Sequence, residues 1–101
     1  MTCVRDVYAY IDSLAPFATA MEFDNAGLLV GSGKENVTKG LLSLDITPQA
    51  VERAEEIGAQ LIVSHHPVIF SPLRRLSPES VPYRLVKSGI AAICAHTNLD
   101  M

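Results

Sequence analysis

Two histidines stand together where an apolar run ends, Leu61-Ile62-Val63-Ser64-His65-His66-Pro67, and a second apolar run ends in Ala95-His96-Thr97-Asn98-Leu99-Asp100. The chain has three histidines, and all of them lie in these two segments. Neutral imidazole and carboxylate are the ligands that zinc, iron, manganese and nickel share, whereas calcium and magnesium prefer oxygen alone. His65, His66 and Asp100 are therefore candidate metal ligands. Neighbouring residues of an extended chain point to opposite sides, so His65 and His66 reach one ion only if the backbone turns between them, a break that Pro67 marks. Otherwise each serves its own ion and Asp100 bridges them, the two-metal arrangement with ions ~3.5–4 Å apart that is common in hydrolysis. His96 is a candidate for general acid–base catalysis, for orienting the carboxylate, or for direct ligation. A histidine pair before proline can also cap a strand by hydrogen bonds alone; the second His/Asp cluster, at the end of what should be the adjacent strand, favours metal. Asp45, which ends an earlier apolar run, either joins the same rim or caps the helix that follows, and capping is the preferred reading.

The elements that must position these groups read as α/β. Val4, Val7, Tyr8, Ile11 and Leu14 recur at helical spacing, which predicts an amphipathic helix over 3–15 with Thr2 as N-cap and Pro16 as stop. Asp24-Asn25-Ala26-Gly27 reads as a turn leading into a short strand, Leu28-Leu29-Val30-Gly31. Gly31-Ser32-Gly33-Lys34 lacks the GxxxxGK[ST] spacing of a phosphate loop and reads as a hairpin or surface loop. From Gly40 the pattern is strand, helix, strand, helix, strand. Strands over 41–46, 61–64 and 90–95 alternate with a helix that has Thr47 as N-cap and Pro48 as its first residue, runs to Ile57 and is closed by Gly58, and with one over 79–88, closed by Gly89. Continuous apolar strands joined by helices imply a mainly parallel sheet covered on both faces, three layers in all. Open sheets of this kind carry their ligand sites at the C-terminal ends of the strands, where the histidines fall.

At 101 residues the chain is expected to form a single α/β domain, and its 49% apolar residues suffice for one core. Eight basic against 11 acidic residues give a net charge of −3, and no basic cluster exceeds Arg74-Arg75, so nucleic-acid binding gets no support. No apolar stretch approaches the ~20 residues of a membrane span, and no secretion signal opens the chain. Cys3 and Cys94 form no CxxC pair, and Cys94, inside an apolar strand, reads as a small buried hydrophobe. A cytoplasmic protein is expected. A small sheet with so few covering helices suggests that a partner chain supplies the cover or, the preferred reading, that the chain is a fragment of a longer protein. The exposed apolar surface such a piece would have, including the Val4, Val7, Ile11 and Leu14 face, suggests self-association.

Four motifs carry a resemblance: Asp24-Asn25-x-Gly27-Leu28-x-Val30-Gly31, Leu44-Asp45-x-Thr47, Ser64-His65-His66-Pro67-x-Ile69-Phe70 and Ala95-His96-Thr97-x-x-Asp100. In order and spacing, over essentially the whole chain, they resemble the NIF-three-like dinuclear metal-centre proteins, also named GTP cyclohydrolase I type 2 homologues. The resemblance implies metal ligation by His65, His66 and Asp100, with Asp100 bridging two divalent ions and His96 lining the site. It also implies the N-terminal portion of a larger NIF-three-like fold and a hexamer built as a toroid of dimers. Family members complete the centre with an HxxxE pair near the C-terminus, and no HxxxE occurs here. Fewer ions than two are accordingly expected on this chain. The function implied is that of a metal-dependent hydrolase acting on a nucleotide or other small polar substrate. The competing reading is a metal-binding ring-shaped scaffold or metal-trafficking module without catalysis.

Overall fold

A computed structural model describes residues 2–19, 25–69 and 76–96. Its elements run α1 (Val4–Leu14), a 3₁₀ turn (Phe17–Thr19), β1 (Gly27–Val30), β2 (Gly40–Ser43), α2 (Pro48–Ile57), β3 (Leu61–Ser64), α3 (Val81–Ser88) and β4 (Ala91–Cys94). The four strands form one sheet in the order β1-β4-β3-β2. β2, β3 and β4 are parallel, as their helical crossovers require. β1 adds an antiparallel edge on β4, with an irregularity between Leu28 and Val30.

Alternate residues of the apolar strands enter opposite layers, which is why the strands are apolar throughout. Ile62, Ile90 and Ala92 pack with Val51 and Ala54 of α2 and Leu85 of α3. Leu61, Ala91 and Ile93 pack with Val4, and with the partly buried Val7, Tyr8 and Ile11 of α1. The three-layer reading holds. The helix α1 packs its apolar face against the sheet, and of the four residues expected on an open face only Leu14 is exposed. At the β2 edge Leu42 and the following Leu44 are also exposed, as are Tyr10 of α1 and Val86 of α3.

Local signals explain the boundaries. Thr47 Oγ1 accepts from the Ala50 N–H with Pro48 in the first turn, and Gly58 ends α2 in the left-handed conformation. Ser80 caps α3 in the same way and Gly89 closes it. The N-cap of α1 is Cys3, one residue later than expected: Asp6 accepts the Cys3 N–H at 2.9 Å, while the Thr2 carbonyl accepts from Val37. β2 ends at Ser43, three residues before the expected end, because Ile46 turns into the α2 layer. The glycine loop after β1 is a surface loop whose Ser32 and Gly33 N–H groups donate to the Glu35 carboxylate. Those bonds hold the Glu35 carboxyl below the usual glutamate range, the Ser32 N–H contributing most. No helix among the described residues is long and apolar enough to cross a membrane.

Candidate metal centre

The parallel register places Ser43, Ser64 and Cys94 level at the ends of β2, β3 and β4. The residues that follow each strand therefore emerge side by side. The His65 N–H donates to Ser43 O and the His66 N–H to Leu44 O, so the chain beyond β3 stays tied to the chain beyond β2. Across the other side, the Ala95 N–H donates to Ser64 O at 3.0 Å.

Between the two histidines the backbone bends, as a shared site requires. Ser64, only 3% exposed, donates its Oγ–H to the His66 carbonyl at 2.7 Å. The buried Cys94 thiol donates to the His65 carbonyl at 3.4 Å, so it is both the small apolar group expected and a weak donor. These contacts curl residues 65 and 66 so that both rings come to one side. Their centroids lie 5.3 Å apart, and the His96 ring, arriving from the end of β4, lies 5.0 Å from His65 and 5.4 Å from His66. One ligand atom from each of the three lies within 4.8 Å of the others, and all three residues are half-buried.

The surroundings add polar and apolar parts. His66 Nδ1 lies 2.7 Å from Asp45 Oδ1, and His65 Nδ1 lies 2.9 Å from the Ala95 carbonyl oxygen. Asp45 thus belongs to the rim and does not cap α2, which corrects the preferred reading of Asp45; Thr47 supplies the cap, as Thr47-Pro48 implied. The Asn25 amide donates to Ile69 O at 2.6 Å, fastening the approach to β1 onto the loop that leaves His66. An open cavity of about 400 Å³ adjoins His65, lined by Leu42, Ser43, Leu44, Val63, Ser64 and Ala95.

The structure thus brings together His65, His66 and His96. Asp100, the expected bridging ligand, lies outside the described residues, as do Asp24, Phe70 and Thr97 of the motifs. The supporting donors Ser64 and Cys94 were missed as site residues; the signal available was a serine directly before the pair and a cysteine at the equivalent end of the next apolar run.

A three-layer α/β sheet with a histidine cluster at its C-terminal strand ends defines the class. The Duf34/NIF3 (NGG1p interacting factor 3) family model matches residues 2–101, and the chain belongs to that family. It is 38% identical over 101 residues to the GTP cyclohydrolase 1 type 2 homolog of Clostridium perfringens, a match covering 96% of this chain and 38% of that protein. It is 38% identical over 104 residues to the GTP cyclohydrolase 1 type 2 of Helicobacter pylori, covering 99% of this chain and 42% of that one. The crystal structure of Staphylococcus aureus protein SA1388 superposes with a TM-score of 0.94 at 37% identity, over 98% of this chain and 29% of that chain. The chain therefore spans less than half the length of these relatives.

Proposed function

We propose that this chain carries part of the metal centre of a metal-dependent hydrolase acting on a nucleotide or another small polar substrate. The observation that carries the reading is the convergence of three imidazoles from two strand ends. Two ligand atoms on one ion stand at most about 4.2 Å apart, since metal–nitrogen bonds are about 2.0–2.1 Å. Separations within 4.8 Å need only small side-chain rotations to hold one ion, and suit a shared pair of ions as they stand. Nitrogen donors select zinc, iron, manganese or nickel over calcium and magnesium. In this reading His65 and His66 are ligands, and Asp100 is the bridging carboxylate that the family resemblance implies. A bound divalent ion would supply Lewis acidity and lower the pKa of water. His96, held beside both other rings, would take up and return the proton. The cavity beside His65 would seat the apolar part of the substrate.

The substrate class follows the names of the relatives, two of which are a GTP cyclohydrolase 1 type 2 and its homolog. The reading takes the whole protein to be a cytoplasmic homo-oligomer, a hexameric ring of dimers as the family resemblance implies. The test is turnover across a nucleotide panel that includes GTP, with metal stripped, restored and exchanged. Hydrolysis that rises with added metal and is lost in His65→Ala supports the reading. Metal binding with no turnover of any nucleotide would replace it with the scaffold or trafficking alternative.

A further inference from the structure

We propose that Asp45 is a positioning residue for the candidate centre: its carboxylate fixes the proton of His66 on Nδ1 and so turns the Nε2 lone pair toward the cluster. The inference rests on the metal-binding reading only for its purpose, since the ring geometry stands without it. A carboxylate oxygen can only accept from a neutral imidazole, so the 2.7 Å contact between Asp45 Oδ1 and His66 Nδ1 requires the hydrogen on Nδ1. The other ring nitrogen then keeps its lone pair.

The same device acts on the neighbouring ring. The Ala95 carbonyl oxygen, 2.9 Å from His65 Nδ1, has no hydrogen to give, so His65 also carries its proton on Nδ1. Two acceptors of different origin, one side chain and one main chain, thus select the same tautomer in adjacent residues. Histidines that ligate through one nitrogen commonly donate from the other to a carboxylate or a carbonyl, which orients the ring and raises its basicity.

The fold explains why Asp45 is available. β2 and β3 run in parallel with Ser43 level with Ser64, so residue 45 leaves β2 level with residue 66 leaving β3. The Ser43 hydroxyl donates to the Asp45 carbonyl and holds this turn, and Thr47 takes the capping role at α2. The Asp45 carboxylate is thereby left facing His66. Its side chain is 54% exposed and contributes nothing to the core, so replacing it should spare the fold.

Nitrogen-15 NMR of the full chain without metal, at about pH 8, reads the tautomers directly. His66 and His65 are expected to show the Nδ1–H pattern. In Asp45→Ala the His66 pattern should shift toward Nε2–H while that of His65 stays, with circular dichroism and melting unchanged. Zinc titration by calorimetry should show affinity about 10–100-fold lower in Asp45→Ala. Asp45→Asn, whose amide oxygen can still accept, should recover the tautomer and part of the affinity. A His66 proton found on Nε2 in the unaltered chain would overturn the proposal. So would an Asp45→Ala chain with both tautomer and zinc affinity unchanged. A chain that binds no zinc but shows the expected tautomers and their loss in Asp45→Ala would defeat the metal reading and leave the role of Asp45 standing.

Discussion

Replacing Ser64 with alanine tests the bend on which the histidine cluster depends. The Ser64 hydroxyl is buried and donates to the His66 carbonyl at 2.7 Å. Alanine keeps the strand and removes only that donor. A hydrogen bond contributes about 0.5–1.5 kcal/mol net, and a buried acceptor left unpaired costs about 1–3 kcal/mol. His66 is half-buried, so water reaches part of the freed carbonyl and the expected loss is about 1 kcal/mol. In a domain of this size that lowers the melting temperature by about 4–8 °C. The same loosening releases His66 from its place beside His65, and zinc affinity should fall about fivefold, the factor equivalent to about 1 kcal/mol. Thermal unfolding by circular dichroism and calorimetric zinc titration measure the two effects. Ser13→Ala is the control, because the Ser13 hydroxyl makes an equally short bond to Tyr10 O on the exposed side of α1 and should cost little. Equal melting temperatures for both variants would refute the claim that the Ser64 hydroxyl holds the bend.

Three other outcomes are expected. Gly31→Ala should destabilise the chain by about 1–3 kcal/mol in denaturant titration, because Gly31 has φ +117° and an added Cβ would meet the Ala91 Cβ at 2.9 Å. Glu35 has its folded-state pKa depressed, chiefly by the Ser32 N–H, so the stability it adds is complete above its unfolded value of about 4.3 and is lost as pH falls through the lower folded value. The stability gap between wild type and Glu35→Gln should therefore be constant above about pH 5 and shrink below about pH 4.3, and a gap independent of pH across that range would contradict the assignment. Leu42 is 81% and Leu44 61% exposed beside Val63, so the chain should self-associate at micromolar concentration, and paired Leu42→Glu and Leu44→Glu changes should reduce it; light scattering that gives a monomer near 10.9 kDa for the unaltered chain would refute this.

The layered fold was legible because its signals are local. Thr47-Pro48 and Gly58 bracket α2 by backbone chemistry, and the short apolar run Leu61 to Val63 between turn signals fits a strand packed on both faces. The antiparallel edge was not legible. Leu28-Leu29-Val30 says that a strand exists but nothing of its direction, which is decided by pairing with the distant β4. Nor could composition find the end of β2, since Leu44 and Ile46 stay apolar after the ladder stops, one exposed and the other buried against α2. The histidines were legible as a group because apolar runs delivered them to the same sheet edge. Asp45 was read as a second cap because it precedes a helix; Thr47, the N-cap that the Thr47-Pro48 pair already signals, has the spacing that reaches the Ala50 N–H, and this frees Asp45 for His66. The Ser64 and Cys94 contacts depend on the turn of the backbone after each strand, which no residue pattern encodes by itself.

Anomalous diffraction at the zinc edge from crystals of the chain equilibrated with zinc tests the central claim most directly. An anomalous peak is expected about 2.0–2.1 Å from Nε2 of both His65 and His66, with the Nδ1 atoms still on Ala95 O and Asp45 Oδ1. A zinc-equilibrated crystal with no peak at this cluster, or with the ion bound elsewhere while His65, His66 and His96 stay as they are, would contradict the account.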